Sequence, residues 1–419
     1  MLRTLTSSWP LFFGLALIMI GNGLQGTLLG VRATIEGFDT ATIGLIMSLY
    51  YLGYLAGSIY VPKMVSKVGH IRVFTALASL ASTTVLLHGL YPDPWLWAII
   101  RAFTGFAYAG LYIVVESWLN DLSTNKTRGQ VLSLYLLITN IGLVGGQFLL
   151  TVADPEQIDL FIMTSVLVSI ALLPISLSSR PAPAFDEPEK VPLKKLYKIS
   201  PLGLVGSFGI GITNGTMFSM AAVYATAMDL SLAQISTFMA AYIIGGVAFQ
   251  IPIGKLSDRY DRRKVIIAVT LAASLVGFLC FLASGMSLFI LYAALFVFGG
   301  LSLTIYGLCL AHTNDHLEPR QFVAASSSMI LVNGLGAAIG PFAISVFMSI
   351  FGIQYFFPII AMTFFALSAY GFHRTNMRAP VPLEEQTDHI VLPTTRPTPL
   401  SLAITEEGHA IMKEMEKDA

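Results

Sequence analysis

Four ionisable side chains interrupt the apolar runs of this chain: Arg32, Glu36, Arg101 and Glu116. A charge in lipid is costly, so such a residue is read first as functional. Arg32 and Glu36 are one helical turn apart. Arg32 either projects into a cavity, where it would bind an anionic or zwitterionic solute, or pairs with Glu36 and snorkels to the interface. Arg101 lies about 9 Å inside its run at 1.5 Å per residue. It keeps its proton at every pH, so it would act by lowering the pKa of a nearby carboxylate or by holding a polar network together. Glu116 closes its run. It is either a proton carrier or a partner for Arg72 or Lys67, and Glu36 is the other proton-carrying candidate.

The uncharged polar residues inside the runs resemble a binding wall: Asn22, Gln25, Tyr50, Asn140, Gln147, Asn214, Thr216, Tyr242, Gln250, Tyr306 and Asn333. Asn140 and Asn333 head glycine-rich stretches and are expected to tie helices together. His88 is read as a surface residue. His312 and His316 have helical metal-ligand spacing but no third ligand nearby, and are read as loop histidines. Trp9, Trp95, Trp97 and Trp118 are read as interface anchors. Cys280 and Cys309 sit in separate apolar runs and make neither a metal site nor a disulfide.

These residues need elements that survive in a bilayer. The chain of 419 residues is 55% hydrophobic and 11% charged, with a mean hydropathy of +0.73. Soluble domains carry about 25% charged residues, so this is a membrane protein. Its zero formal net charge gives no support to nucleic-acid binding. A crossing helix needs about 20 mostly apolar residues, and twelve runs qualify: 10–33, 41–62, 71–90, 95–118, 130–151, 158–178, 201–226, 232–253, 264–284, 287–311, 321–345 and 352–372. With the N-terminus in the cytoplasm, 22 of the 24 basic residues fall on the inner side, and only Arg32 and Arg101 do not. That is the positive-inside pattern and places both termini in the cytoplasm. The proline-containing stretch 179–200 reads as a flexible linker between six spans (1–178) and six more (201–372). The polar tail 373–419 follows, with a short helix expected in "EEGHAIMKEMEK".

Sliding the first half onto the second aligns Asn22 with Asn214, Gly23 with Gly215, Ile43 with Ile235, Tyr50 with Tyr242, Gly53 with Gly245 and Arg128 with Arg320. A one-residue adjustment aligns Asn140 with Asn333. The fold expected is all-α: twelve transmembrane helices in two six-helix, pseudo-symmetric halves around a central cavity. The turn "GKLSDRYDRRKV" carries seven charges in twelve residues. Its Gly254, Leu256, Asp258, Arg259, Arg262 and Arg263 resemble the G-x-L-x-D-R-x-x-R-R loop of the major facilitator superfamily. "PKMVSKVGHIRV" is a degraded first copy, with Pro62 and Ser66 in place of the glycine and aspartate. Arg101 and Gly105 match the family's R-x-x-x-G. "VGHIRVF" and "ESWLND" resemble a bacterial branch of unsettled substrates.

The resemblance implies that Gly254, Asp258, Arg259, Arg262 and Arg263 form a latch between halves when the outside is open, and that Arg101 takes part in proton coupling. It also implies that Asn22, Gln25, Arg101, Asn214 and Tyr306 face the solute, and Arg32 joins this substrate-binding set where it projects into the cavity. With Ser66 unable to make the ionic contact, the latch would lean on the second copy.

The function expected is secondary active transport of a small organic solute by alternating access, coupled to protons, with a slight preference for anionic or zwitterionic solutes. The alternatives are a proton-driven drug or metabolite efflux exchanger and a non-transporting sensor on the same scaffold. No glycine run has the lysine and hydroxyl of a nucleotide-binding loop, and no nucleophile–base pair or metal cluster suggests an enzyme. No cofactor is expected. The partners are a small-molecule substrate, protons and membrane lipid, with the chain a monomer in the inner membrane.

Overall fold

The computed structural model describes residues 2–122, 128–176, 191–318, 321–375, 377, 381–382 and 386–387. Among them are thirteen α-helices: α1 (Leu2–Ile35), α2 (Thr40–Val68), α3 (His70–Leu90), α4 (Pro94–Leu122), α5 (Arg128–Leu149), α6 (Asp159–Ser176), α7 (Leu193–Ile199), α8 (Pro201–Ala227), α9 (Leu232–Arg259), α10 (Arg262–Ser284), α11 (Leu288–Asn314), α12 (Phe322–Phe351) and α13 (Phe356–Thr375). Eleven are long and apolar enough to cross a membrane. The remaining long helix, the 27-residue α8, carries Ser207, Thr213, Asn214 and Thr216 among its glycines. The protein is a multi-span, all-α membrane protein, as lipid demands of a backbone that must satisfy itself.

Local chemistry ends the helices where the charge pattern changes. Asp39 caps α2 by accepting from the backbone N–H groups of Ala41 and Thr42. Ser231 and Gln234 form a reciprocal capping box at α9. Gly69 stops α2 at φ 87°, a conformation that side chains disfavour, so α3 begins one residue later. Asp261 accepts from the N–H of Arg263 to cap α10. Burial works against its charge, yet hydrogen bonds from Arg263 and the charges of Arg263 and Lys264 hold its carboxyl below the ordinary range.

The linker reading changes in one respect. Residues 177–190 lie outside the described residues, but 193–199 form α7, and the strand of chain before it is docked. Val191 donates to the carbonyl of Ala324, and Ser328 donates to the carbonyl of Val191, 2.7 Å away. The expected helix in "EEGHAIMKEMEK" lies outside the described residues.

α2 packs on α4, and α1 on α5 and α6; α9 packs on α11, and α8 on α12 and α13. Glycines set the registers. A Cβ on Gly53 would overlap the carbonyl of Ala102, and one on Gly105 the carbonyl of Tyr50. The same crossing recurs between α9 and α11, with Gly245 against the Phe296 carbonyl and Gly299 against the Tyr242 carbonyl. Likewise Gly146 meets Ile20 and Gly142 meets Ala16, while Gly340 meets Ile212 and Gly336 meets Phe208. By these matching contacts Asn140 is the counterpart of Gly334 rather than of Asn333, one position from the alignment read in the sequence.

The bundle has two ends. One carries the connections at 36–39, 150–158, 228–231 and 352–355; the other, the linker end, carries Gly69, the linker and Tyr260–Asp261. Contacts between α1–α6 and α8–α13 lie in the middle or toward the first end. Gly30 meets Ala222 and Val223, and Gly44 meets Pro341 and Ser345. Phe342, beside the helix-interrupting Pro341, donates its N–H to Ser48 Oγ at 3.0 Å. Ser236 donates to the Gln147 carbonyl at 2.7 Å. At mid-depth Tyr51 reaches the Gly215 carbonyl at 3.3 Å, and Leu55 meets Gly334.

Candidate functional site

The Tyr51–Gly215 bond brings two polar groups together at mid-depth. On the first side, Asn22 donates to the Tyr112 hydroxyl at 2.6 Å. Gln25 is buried, and its Nε2 has no hydrogen-bond partner among the described residues. Gly26 follows, with nothing within 4 Å of where its Cβ would stand. Asn22, Gly26 and Gly30 succeed one another by turns of α1; the first reaches α4 and the last reaches α8, so the open space at Gly26 lies between those helices. On the second side, Asn214 accepts from Ser302 Oγ at 2.8 Å and from Tyr242 Oη at 3.1 Å. Tyr306 is buried on α11. Tyr50, Tyr54, Tyr112 and Tyr108 form a ladder of rings, with successive centroids 6.3 Å apart.

Arg101 is buried. Its guanidinium carbon lies 4.3 Å from the Tyr50 ring centre, the geometry of a cation–π contact, and its Nη2 is 3.9 Å from Met47 Sδ. Arg32 is placed elsewhere: it pairs with Glu36 at 2.5 Å and donates to the Pro155 carbonyl at 3.0 Å. That joins α1 to the α5–α6 connection at the end where the two sets of helices meet. Glu116 is fully buried and accepts a short hydrogen bond from Tyr135 of α5. Arg72, considered as its partner, is exposed.

The charged turn is an organised cluster at the linker end. Arg262, 1% exposed, donates through Nε to Ser257 Oγ at 2.9 Å, through Nη1 to Asp315 Oδ1 at 2.6 Å and through Nη2 to Asp258 Oδ1 at 3.1 Å. It thus fastens α9, α10 and α11 together. Arg263 pairs with Asp261 at 2.9 Å. Gly254 is buried on α9, and Arg259 is exposed at its end. The Asp258–Arg262 pair joins helices of one set rather than crossing between sets.

Several partners are absent from the sequence reading: Tyr112, Tyr135, Ser257, Ser302, Asp315 and Thr387, the last of which accepts from Arg262 and donates to Asp315. Each lies far along the chain from the residue it serves, except Ser257, whose place one turn before Arg262 was available. Asn333 ties α12 to α8 by donating to the Ser207 carbonyl at 2.9 Å, whereas Asn140 donates within its own helix to Leu136. Gln147 is a tie as well, accepting from Thr27 and donating to the Gly23 carbonyl.

Three surface assignments change. His88 is buried beside Trp97, with Nδ1 2.6 Å from the Thr84 carbonyl. Trp97 and Trp118 are buried, the former donating to the Tyr91 carbonyl, while Trp9 and Trp95 are exposed. His312 is buried inside α11, its ring 4.9 Å from that of His316. Among the described residues no cluster of His, Cys, Asp or Glu could hold a metal.

Relatives share this architecture. An uncharacterized MFS-type transporter of Enterobacter sp. (strain 638) is 25% identical over 357 residues, 85% of this chain and 92% of that protein. Another, of Yersinia enterocolitica, is 27% identical over 356 residues, 84% and 91% of the two chains. Among solved structures, the nucleoside transporter NupG superposes with a TM-score of 0.74 at 14% identity, covering 87% of this chain and 98% of that one. A bacterial homolog of the human lysosomal transporter Spinster, inward-facing and occupied, gives 0.73 at 14% identity, with coverages of 90% and 97%. The model of the Major Facilitator Superfamily matches residues 11–233 and 203–406. The chain is therefore a membrane transporter belonging to the Major Facilitator Superfamily.

Proposed function

We propose that the chain moves a small polar organic solute by alternating access between two six-helix halves, α1–α6 and α8–α13, with α8 as the twelfth crossing. The observation that carries this reading is the one-sided distribution of contacts between the halves. They meet at the middle and at the end away from the linker, over a buried set of polar groups. The repeated glycine crossings support two halves of like build, which rock about a midplane site in transporters of this kind.

The linker end bears most of the basic residues and faces the cytoplasm, which puts both termini inside. The state described is then open inward. Asn22, Gln25, Asn214 and Tyr306 are the solute contacts, with Gly26 leaving room for the solute. The preference for an anionic group rests on Arg101, because Arg32 is engaged by Glu36 and Pro155. The chain works as a monomer. Protons drive the cycle, with Glu116 and Glu36 as the exchanging carboxyls and Arg101 setting the network around the site. Efflux of amphipathic solutes is the second reading, and the tyrosine ladder favours it.

The test is flux in sealed proteoliposomes with and without a pH gradient. The panel spans nucleosides, sugars, amino acids, carboxylates and sulfonates. Solute-dependent proton movement is expected, and it should disappear in Arg101→Gln. Proton movement that survives that substitution removes Arg101 from coupling; no flux of any solute in either direction leaves the sensor reading.

The space at Gly26 makes a separate prediction. Gly26→Cys should react with a hydrophilic thiol reagent supplied from the linker side, and a transported solute should protect it. Native Cys280 and Cys309 are buried, so background labelling stays low. A Gly26→Cys protein that labels only with membrane-permeant reagents would show that this space belongs to lipid.

A further inference from the structure

The tail returns to the charged cluster. Thr387 donates its backbone N–H and its hydroxyl to Asp315 Oδ1, each at 2.9 Å. Its carbonyl accepts from Arg262 Nη2 at 2.5 Å, and its hydroxyl lies 3.4 Å from Arg262 Nη1. A guanidinium has five N–H donors. Here Ser257, Asp258 and Asp315 take three, and Thr387 takes the other two. The ion pair of Arg262 and Asp315, each 1% exposed, is completed by a residue that follows the last helix.

We propose that the tail segment at Thr387 is an intramolecular brake, which occupies Arg262 and Asp315 while the linker end is open and must release them before that end closes. The inference rests on the alternating-access reading. On the latch reading, closure at the linker end brings the charged turn against the opposite half, and all five N–H donors of Arg262 are already engaged. Thr387 touches α11 at both Asp315 and, through its hydroxyl, the Ala311 carbonyl at 3.5 Å. Thr387 therefore bridges the α9–α10 turn and the linker end of α11, and it stabilises the state in which it is bound. A contact made in one state only shifts the equilibrium toward that state.

The experiment uses the full-length chain in lipid nanodiscs. Spin labels are placed at two exposed linker-end positions on opposite halves, Lys67→Cys and Lys255→Cys, and the distance distribution is measured. Wild type should show a longer, linker-open population and a shorter, linker-closed one. Thr387→Pro removes the N–H and the hydroxyl, which share the acceptor Asp315 Oδ1, and should raise the closed-to-open ratio about three- to tenfold, roughly the weight of one net hydrogen bond. Thr387→Ala should shift it in the same direction by less, and Thr387→Ser, which keeps both donors, should restore the wild-type ratio. Two populations with unchanged weights in Thr387→Pro, or a shift toward the open state, would overturn the brake. One distance in every variant would count against two-state access itself, and the brake would fall with it.

Discussion

Arg262→Met should lower stability by about 3–5 kcal/mol, the cost of breaking a buried ion pair by removing one partner. The loss exceeds that of one contact because of what stays behind. Asp315, 1% exposed, would lose its cationic partner and, among the described residues, keep the hydrogen bonds from Thr387, while Asp258 and Ser257 would lose the hydrogen bonds that Arg262 gives them. The same substitution combined with Asp315→Leu should recover most of the loss, since an apolar pair of similar volume can replace a buried ion pair at little cost. Thermal unfolding of purified protein in detergent, compared across the two singles and the double, reads this directly. Additive losses would mean that Arg262 and Asp315 stabilise the linker end independently. Transport separates the cluster's two roles: the double variant should fold yet cycle poorly if the charges are needed for closure, and should cycle normally if they serve stability alone.

The contrast between Arg262 and Arg32 shows what a sequence can and cannot reveal. Both stood out because charge is scarce in this chain. The local partners were legible: Glu36 is one turn from Arg32, and Asp258 is one turn from Arg262. The distant partners were not. Nothing near "TNDH" marks Asp315 as the acceptor for a guanidinium on another helix, and nothing in "EEQTDH" marks Thr387 as a cap for both. Burial failed for a related reason. His88 and Trp97 sit near helix ends, where amphipathic side chains usually face headgroups. Here the end of α3 turns inward against α4 and the chain at Phe38, so tertiary packing decides the matter. The helices themselves were readable because span length and apolarity are local properties. α8 was readable too, although its polar residues weaken its apolarity. Those same residues place Asn214 beside Tyr242 and Ser302.

On the alternating-access reading, the state of the molecule accounts for a further difference. The family resemblance makes Asp258 and Arg262 a latch between halves, while here they fasten α9, α10 and α11 within one half. A latch that works only when the linker end is shut has no partner across the gap while that end is open. On the same reading, the opposite end is the closed counterpart. There Gly44 meets Pro341 and Ser345, and Ser48 takes the N–H freed beside Pro341. This closed gate is made of small residues and single neutral hydrogen bonds, each worth about 0.5–1.5 kcal/mol net. Such contacts can be exchanged in each cycle, whereas a buried ionic network that had to be dismantled would impose a larger barrier. The ionic network at the linker end lies within one set of helices, α9–α11, and is not among the contacts that join the two sets here.

Gly105→Leu should abolish accumulation of folded protein, the largest single-site effect expected in the first half. A Cβ there would overlap the Tyr50 carbonyl, with the Tyr50 carbonyl carbon 2.8 Å and the Tyr54 nitrogen 2.9 Å away. All three atoms belong to the backbone of α2, so no side chain can swing aside. Ordinary overpacking costs about 1–3 kcal/mol; separating two backbones at their closest crossing forfeits the packing of both helices, the main force between helices in lipid. The separation would also lift Tyr50 from Arg101 and so disturb the site. Gly105→Ala should be milder but still destabilising, and the matched Gly299→Ala, at the recurrence of this crossing between α9 and α11, should lose a similar amount. Fluorescence-detected size exclusion and thermal melts of the pair measure it. A stable Gly105→Leu protein with unchanged melting would mean that α2 and α4 do not cross this closely, and would remove the geometric basis for placing Arg101 over Tyr50.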